Sequence, residues 1–414
     1  MAEKQIIKSS FYGAIPLDWN SLTFQDCISG FSSGSTPSRL IPQYFNGNIN
    51  WITSGELNYN VINITKERVT SQAIKNSNLK ILDSGTFLIA ITGLEAEKVR
   101  GACGIVGQKS VSNQSCMALY PNKHLLDKMY LFYFYAFNGD KLAFRYCQGT
   151  KQQSYNAKLV KILPIIFPPL PEQKEIANCL STWDKAIENQ ITLIKAKEIL
   201  KKAIMKELLT GKKRLPGFNE DWKEFKYSQL IKQVTRKEQW DDSKIYKLIS
   251  IKRRSGGVFA RQRLFGHQIE VKQLVKVKEN DFLISKMQIV HGASSIVRKE
   301  FEDYYVSGSY VILNIKDEKV LTPFYLDYVS KQKSFYHQTY IASYGVHIEK
   351  MTFDFKSFLK MKITLPSLLE QEKITKIIDI AQKEIQIEKQ KLADLQKQKK
   401  GLMQQLLTGK VRLV

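Results

Sequence analysis

Two long stretches of the chain carry apolar residues at alternating three- and four-residue steps. In the first the stripe is Ile176, Leu180, Trp183, Ile187, Ile194, Ile204 and Leu208; in the second it is Ile374, Ile378, Ala381, Ile385, Leu392, Leu395, Leu402 and Leu406. This period puts one narrow apolar seam on a helix, the pattern of a coiled coil. Pro171 and Pro366 are start signals, Glu172 and Glu370 suit a helix N-terminus, and Gly211 and Gly409 stand where a left-handed C-terminal cap belongs. About 38 residues at about 1.5 Å each give a rod of roughly 57 Å. Two amphipathic helices could each pack on a domain of their own. A narrow seam this long, present twice, predicts instead that the two helices pair.

The two stretches are copies. Between Pro168–Leu215 and Pro366–Leu413, 17 of 48 positions are identical without a gap. The identities cluster at the ends: "PPLPEQKEI" lies on "PSLLEQEKI", and "ELLTGKKRL" on "QLLTGKVRL". Equal length with a free middle points to a spacer whose dimension matters.

The segments outside the helices show short β-rich runs broken by Gly, Asn and Ser, so each block is expected to be α+β. They are weak copies too. "GTFLIA" (Gly85–Ala90) resembles "NDFLIS" (Asn280–Ser285), and "GACGIV" (Gly101–Val106) resembles "GASSIV" (Gly292–Val297). Both blocks have an Asp-Trp pair near their start, at Asp18-Trp19 and Asp221-Trp222, and both end in a short apolar strand. The expected division is therefore residues 1–167, a helical spacer at 168–214, a second block at 215–365, and a second spacer at 366–414.

Composition narrows the class. The 414 residues are 43% hydrophobic, enough for more than one core. No basic-then-apolar start and no apolar run of membrane length is visible; "LFYFYAF" (Leu131–Phe137) is too short to span. Cys27, Cys103, Cys116, Cys147 and Cys179 are scattered without a CxxC pair, which reads as reduced thiols in a cytoplasm and makes a zinc site improbable. Basic residues outnumber acidic ones 63 to 39, a net charge of +24 that favours a polyanionic partner. The surplus is +7 in residues 1–171, +9 in 215–369, and +4 in each helix segment.

Catalytic motifs are missing. The Gly-Lys of LLTGK lacks both the earlier glycine and the following Ser/Thr of a phosphate-binding loop. There is no GxGxxG after a strand, no Asp/Asn-Pro-Pro-aromatic run, no HExxH and no convincing carboxylate cluster. No metal site and no catalytic residue is expected, and no cofactor bound by this chain.

The candidate contacts for a nucleic acid are basic or amide side chains beside flexible glycine or serine, which suit phosphates and base edges. In the first block these are Arg39, Lys98, Arg100, Lys151, Gln152 and Gln153. In the second they are Lys252, Arg253, Arg254, Arg261, Arg263, Lys286, Gln288 and His291. The arginines at 253, 254, 261 and 263 form the best group, because a guanidinium can grip guanine or phosphate with two bonds. The plain alternative is that each is a solvated loop.

The order of block, long helix, block, long helix, with "PLPEQ" and "LLTGK" bracketing the first helix, resembles the specificity subunit of type I restriction–modification enzymes over the whole chain. "YKLISIKRRSGGVFARQR" and "DFLISKMQIVHGA" also resemble a recurrent target-recognition domain of that family, while "SLLEQ" at Ser367–Gln371 lacks the second proline of the motif. The resemblance implies two target-recognition domains, each reading one half of a bipartite double-stranded DNA site. It implies an antiparallel helix pair that sets the half-site gap, in a pseudo-two-fold, cyclic arrangement that brings Val414 near the N-terminal segment. It implies two modification subunits that methylate adenine with S-adenosylmethionine, and restriction subunits that use ATP and magnesium. Under it, Glu172, Gln173, Leu208, Lys212, Glu370, Gln371, Leu406 and Lys410 become candidates for docking those partners, with helix capping and packing as the alternative. A self-sufficient DNA methyltransferase or nuclease, and a non-specific architectural DNA-binding protein, are the rival readings.

Overall fold

The computed structural model describes residues 6–9, 11–97, 99–149, 153–236 and 238–413. Two compact units emerge, one from residues 1–191 and 390–414, the other from residues 192–389. Each long helix therefore contributes one part to each unit.

In the first unit a five-stranded sheet runs Ile28–Ser33, Cys116–Pro121, Phe87–Ala90, Cys103–Val106 and Asn60–Ile62 in spatial order. All its neighbours are antiparallel except the last pair. Phe87–Ala90 and Cys103–Val106 are buried along their whole length, which explains their unbroken apolar or small-residue character. The helix Lys128–Tyr146 packs on this core and contains LFYFYAF, which is largely buried there. Asp127 caps it, its carboxylate accepting from the amides of Met129 and Tyr130. A smaller sheet of Ser110–Ser112, Ile49–Ile52 and Arg68–Val69 has its own core around Trp51 and Val69.

The second unit repeats the scheme. Its sheet runs Ile231–Gln233, Tyr310–Ile315, Phe282–Ser285 and Ser294–Ile296, the first four positions of the same spatial order. FLIA and FLIS thus occupy the same central strand, as the sequence likeness predicts. The single helix of the first unit is replaced by two shorter ones, Pro323–Val329 and Lys333–Ile341. The smaller sheet has grown to four strands, in the order Val258–Phe265, Ile245–Ile251, Tyr305–Ser307 and Leu274–Lys276. In each unit the closing apolar strand pairs with one near the unit's start: Pro164–Phe167 with Asn20–Thr23, and Lys362–Leu365 with Lys223–Lys226.

The spacer helices span Leu170–Leu209 and Leu368–Leu406, 40 and 39 residues. Their pairing is antiparallel. In the first unit Asp184 accepts from Lys399 at 2.5 Å. In the second, Lys197 meets Glu384 at 2.9 Å, Lys201 donates to Gln382 at 2.5 Å, and Glu198 meets Lys389 at 2.6 Å. The predicted seam faces inward, with Ile176, Leu180, Ile194, Ile374, Ile378, Ile385 and Leu406 buried.

The ends of the helices form two equivalent joints. In the first unit the Glu172 carboxylate, 0% exposed, accepts from the Arg412 guanidinium at 2.6 and 2.5 Å. Arg412 also reaches Asp18 at 2.8 and 2.6 Å. These bonds hold the guanidinium well above its ordinary pKa. In the second unit Glu370, 1% exposed, accepts from Arg214 with both bonds at 2.8 Å. Beside each glutamate, a buried glutamine ties the helix start to its unit. Gln173 accepts from the Asp127 amide and donates to the carbonyls of Leu125 and Pro168. Gln371 accepts from the Thr322 amide and donates to Val320 and Pro366.

Both cap glycines have positive φ, 69° at Gly211 and 71° at Gly409. A Cβ at Gly211 would lie 3.3 Å from the Trp222 ring; at Gly409 it would lie 2.6 Å from Pro16 and 3.3 Å from Trp19. The two tryptophans noticed in the sequence are therefore the receiving side of each joint, joined in the first by Asp18. Val414 lies outside the described residues; Arg412 and Gly409 lie against Asp18 and Pro16.

Truncating Arg412 to Ala leaves the Glu172 carboxylate buried without its partner, so a loss of about 3 kcal/mol is expected. Urea unfolding of Arg412→Ala against wild type checks this, and Glu172→Gln on the Arg412→Ala background should recover part of the loss. Gly409→Ala forces a left-handed backbone and a contact with Pro16, and should cost at least about 1 kcal/mol in the same assay.

Candidate nucleic-acid interface

In the second unit the predicted loops converge. Ile251 and Val258 flank a turn in which Arg254 and Ser255 both take left-handed φ, 57° and 55°. The turn is fastened to the 288–292 loop by backbone bonds, Arg254 to His291 at 2.7 Å and Ser255 to Gly292 at 2.9 Å. The Arg253 Nε donates to Gln288 at 2.6 Å. A third segment, not singled out in the sequence, completes the cluster. Glu349 lies 3.2 Å from Arg253 and 3.3 Å from His291, the latter contact being close but not aligned as a hydrogen bond. Lys286 anchors the same region, its backbone carbonyl accepting from Phe353 and its ammonium donating to Gly308 at 2.8 Å.

Arg261 and Arg263 lie on the edge strand Val258–Phe265, in which residues 260–263 are all exposed. Arg263 stands opposite Lys247, also exposed, in the antiparallel register. Arg254, Arg261 and Arg263 form no ion pair with another described residue. Lys252 rests over the Phe259 ring at 5.4 Å. The unit thus presents unpaired guanidiniums on a strand edge, next to a loop cluster of amide, imidazole and guanidinium groups. Groups of these kinds suit phosphates and base edges, and they are not arranged as an acid–base pair around a reacting bond.

The first unit distributes its candidates differently. Arg39 is gripped by Glu67 at 2.5 and 2.8 Å and lies over the rings of Phe45 and Trp51. The bond from Arg39 holds the Glu67 carboxyl below its ordinary pKa. Arg100 donates to Asp140 at 2.6 Å. Gln153 is tied to the loop before Arg100, its amide donating to Glu95 at 2.9 Å and its carbonyl accepting from Leu94. The Arg100 and Gln153 loops are therefore neighbours, whereas Arg39 belongs to the smaller sheet. Lys98, Lys151 and Gln152 lie outside the described residues. The acidic partners Glu67, Asp140 and Glu349 were missed in the sequence, because each is 28 or more residues from the base it holds.

A family model described as the type I restriction modification DNA specificity domain matches residues 16–196 and again 219–397. The chain belongs to that family. A specificity subunit of the type I enzyme MjaIX from Methanocaldococcus jannaschii is 27% identical over 317 residues, covering 71% of this chain and 69% of its own. The MjaVIII specificity subunit of the same organism is 23% identical over 435 residues, covering 96% of this chain and 94% of its own. Among solved structures, the S subunit of a type I system from M. genitalium matches with a TM-score of 0.56 at 15% identity, covering 94% of this chain and 96% of that one. Its fold is shared. The specificity subunit is the non-catalytic component of such complexes, which sets aside the methyltransferase and nuclease readings. No helix among the described residues is long and apolar enough to cross a membrane.

The residues expected to dock partners divide. Glu172, Gln173, Glu370 and Gln371 are at most 1% exposed and have their polar atoms bonded within the chain; Leu208 and Leu406 are buried in the two cores. These six close the joints and have no surface to offer another subunit. The reason is physical: a carboxylate at the start of a helix that ends a domain is more useful fixing the returning helix than facing water. Of these eight, only Lys212 and Lys410 are exposed.

Removing unpaired arginines should weaken DNA binding by the assembled complex. Arg261→Ala and Arg263→Ala are each expected to reduce affinity roughly tenfold, about 1.4 kcal/mol. If a residue contacts phosphate, the loss is uniform across sequences and the salt slope falls by about one; if it contacts a base, one position of the site relaxes. Fluorescence anisotropy at several salt concentrations separates the two.

Proposed function

We propose that this specificity subunit directs its complex to an asymmetric, bipartite site in double-stranded DNA, each unit reading one half. The observation that carries this reading is the contrast between the units. They share one strand order and one kind of joint, yet display different polar groups: an arginine edge strand and a tripartite loop cluster in the second, an Arg100–Gln153 loop pair and a shielded Arg39 in the first. Two readers on one scaffold call for two different half-sites rather than a palindrome. An indiscriminate architectural binder would gain nothing from the difference.

The equivalent joints support two identical modification subunits, one approaching each joint, with Lys212 and Lys410 as matched contacts. S-adenosylmethionine is assigned to those subunits, and ATP and magnesium to restriction subunits recruited through them. The paired helices set the gap between half-sites, in keeping with the rule that protein dimensions fix half-site spacing. Five free cysteines fit a reducing cytoplasm.

Co-expression with a modification subunit in a host lacking DNA methylation, followed by genome-wide mapping of methyl-adenine, tests the reading. Two different short half-sites at one fixed spacing are expected, each with a methylated adenine. Exchanging residues 1–167 for those of a relative should change one half only. Adding seven residues to the middle of each spacer lengthens it by about 10 Å and should widen the gap by about three base pairs. A site unchanged by both alterations would refute the division of labour.

A further inference from the structure

The two units also differ at their entrance. The segment before Asp18 is folded into strands, whereas residues 210–220, which join the end of the spacer helix at Leu209 to Asp221, contain none. In the first unit that segment forms a hairpin of Ile6–Ser9 and Gly13–Pro16. Tyr12 at its turn lays its ring edge-on against Phe134, centroids 5.5 Å apart, and its hydroxyl donates to the Pro164 carbonyl at 2.7 Å. Pro16 covers Gly409. The hairpin thus touches three landmarks: the closing strand, the helix after the sheet, and the cap glycine of the joint.

Each landmark has its match in the second unit. Lys362 begins the closing strand as Pro164 does, and Gly211 caps the spacer helix as Gly409 does. Val329 takes the place of Phe134: Tyr328 just before it bonds Asp379 of the spacer, as Tyr133 bonds Asp184. There the three line an open cleft of about 480 Å³, with Trp222 and Phe335 among its other walls. That volume is within the range of ligand pockets. The carbonyl that Tyr12 satisfies in the first unit is satisfied in the second by the Gln338 amide, bonded to Lys362 at 2.8 Å. Its polar end is therefore already served, and the rest of the cleft, walled in part by Trp222 and Phe335, stands open.

We propose that this cleft is a binding site for an extended polypeptide segment presenting an aromatic side chain, supplied by another chain. The first unit supplies the chemistry of the occupant: a short strand, an aromatic ring against the helix, and a proline over the cap glycine. The second unit has the receiving surface without the segment.

A fluorescein-labelled peptide of residues 6–16, IIKSSFYGAIP, serves as the probe, since this is the one sequence seated on an equivalent surface. It is titrated into the full-length protein and followed by anisotropy. Saturable binding is expected, weakened about tenfold or more when the peptide's tyrosine is replaced by alanine. Ser334→Trp, at an exposed position on the cleft wall, should abolish binding while leaving the unfolding midpoint unchanged; Gln332→Trp repeats the test from a second position. No saturation at millimolar peptide overturns the proposal. So does binding that survives both tryptophan variants, which would mean that the probe exchanges with the hairpin of the first unit, and so does indifference to the tyrosine.

Discussion

The structure depends on two buried carboxylate–guanidinium pairs, Glu172 with Arg412 and Glu370 with Arg214. Each joins the first turn of one spacer helix to the residues just beyond the end of the other. A carboxylate at 0 or 1% exposure is costly unless it is paired and fully bonded, so each helix start requires the arginine of the opposite strand to arrive. The requirement is geometric as well as energetic. A planar guanidinium making two parallel bonds admits little slippage, so each joint fixes the antiparallel register at its end, in addition to the polar pairs along the seam. The seam itself is narrow, and Trp183, Ile187, Leu392 and Leu395 are only half-buried. The apolar residues of such a seam give attraction without a unique register, and the polar pairs and end pairs provide one.

This arrangement explains why the copies agree at their ends and differ in the middle. Between the joints, any residues that keep the helix and the stripe will serve. At the joints, Glu, Gln, Gly and Arg each have a task that no other residue type performs equally well. The glutamine offers both a donor and an acceptor to three backbone groups, the glycine accepts a left-handed backbone against a tryptophan ring, and the arginine has the fork that fits the carboxylate.

Much of this was legible in the sequence, because it rests on periodicity and repetition. The helices, their caps, their pairing and the matched central strands FLIA and FLIS follow from patterns within a few residues or from a fixed offset. The role of Glu172 and Glu370 was not, because helix-start glutamates look alike whether they face water or an arginine more than 150 residues away. The candidate surfaces were half legible. Glycine-flanked basic loops were found, and those at 252–254 and 288–291 do meet. Which arginines remain free was hidden, since Glu67, Asp140 and Glu349 approach Arg39, Arg100 and Arg253 only once the sheets have formed. Local chemistry marks a candidate; long-range pairing decides its availability.

The sameness of the two joints has a consequence for heredity. Arg214 and Arg412 each fork onto the glutamate at the start of the other spacer, and Arg412 reaches Asp18 as well. LLTGK and its surroundings are matched in amino-acid sequence within a single chain. A crossover between the genes of two such chains within either stretch would exchange a whole reader and leave every residue of the joints in place. New specificities could then arise by shuffling intact modules, with no intermediate in which the scaffold fails to close.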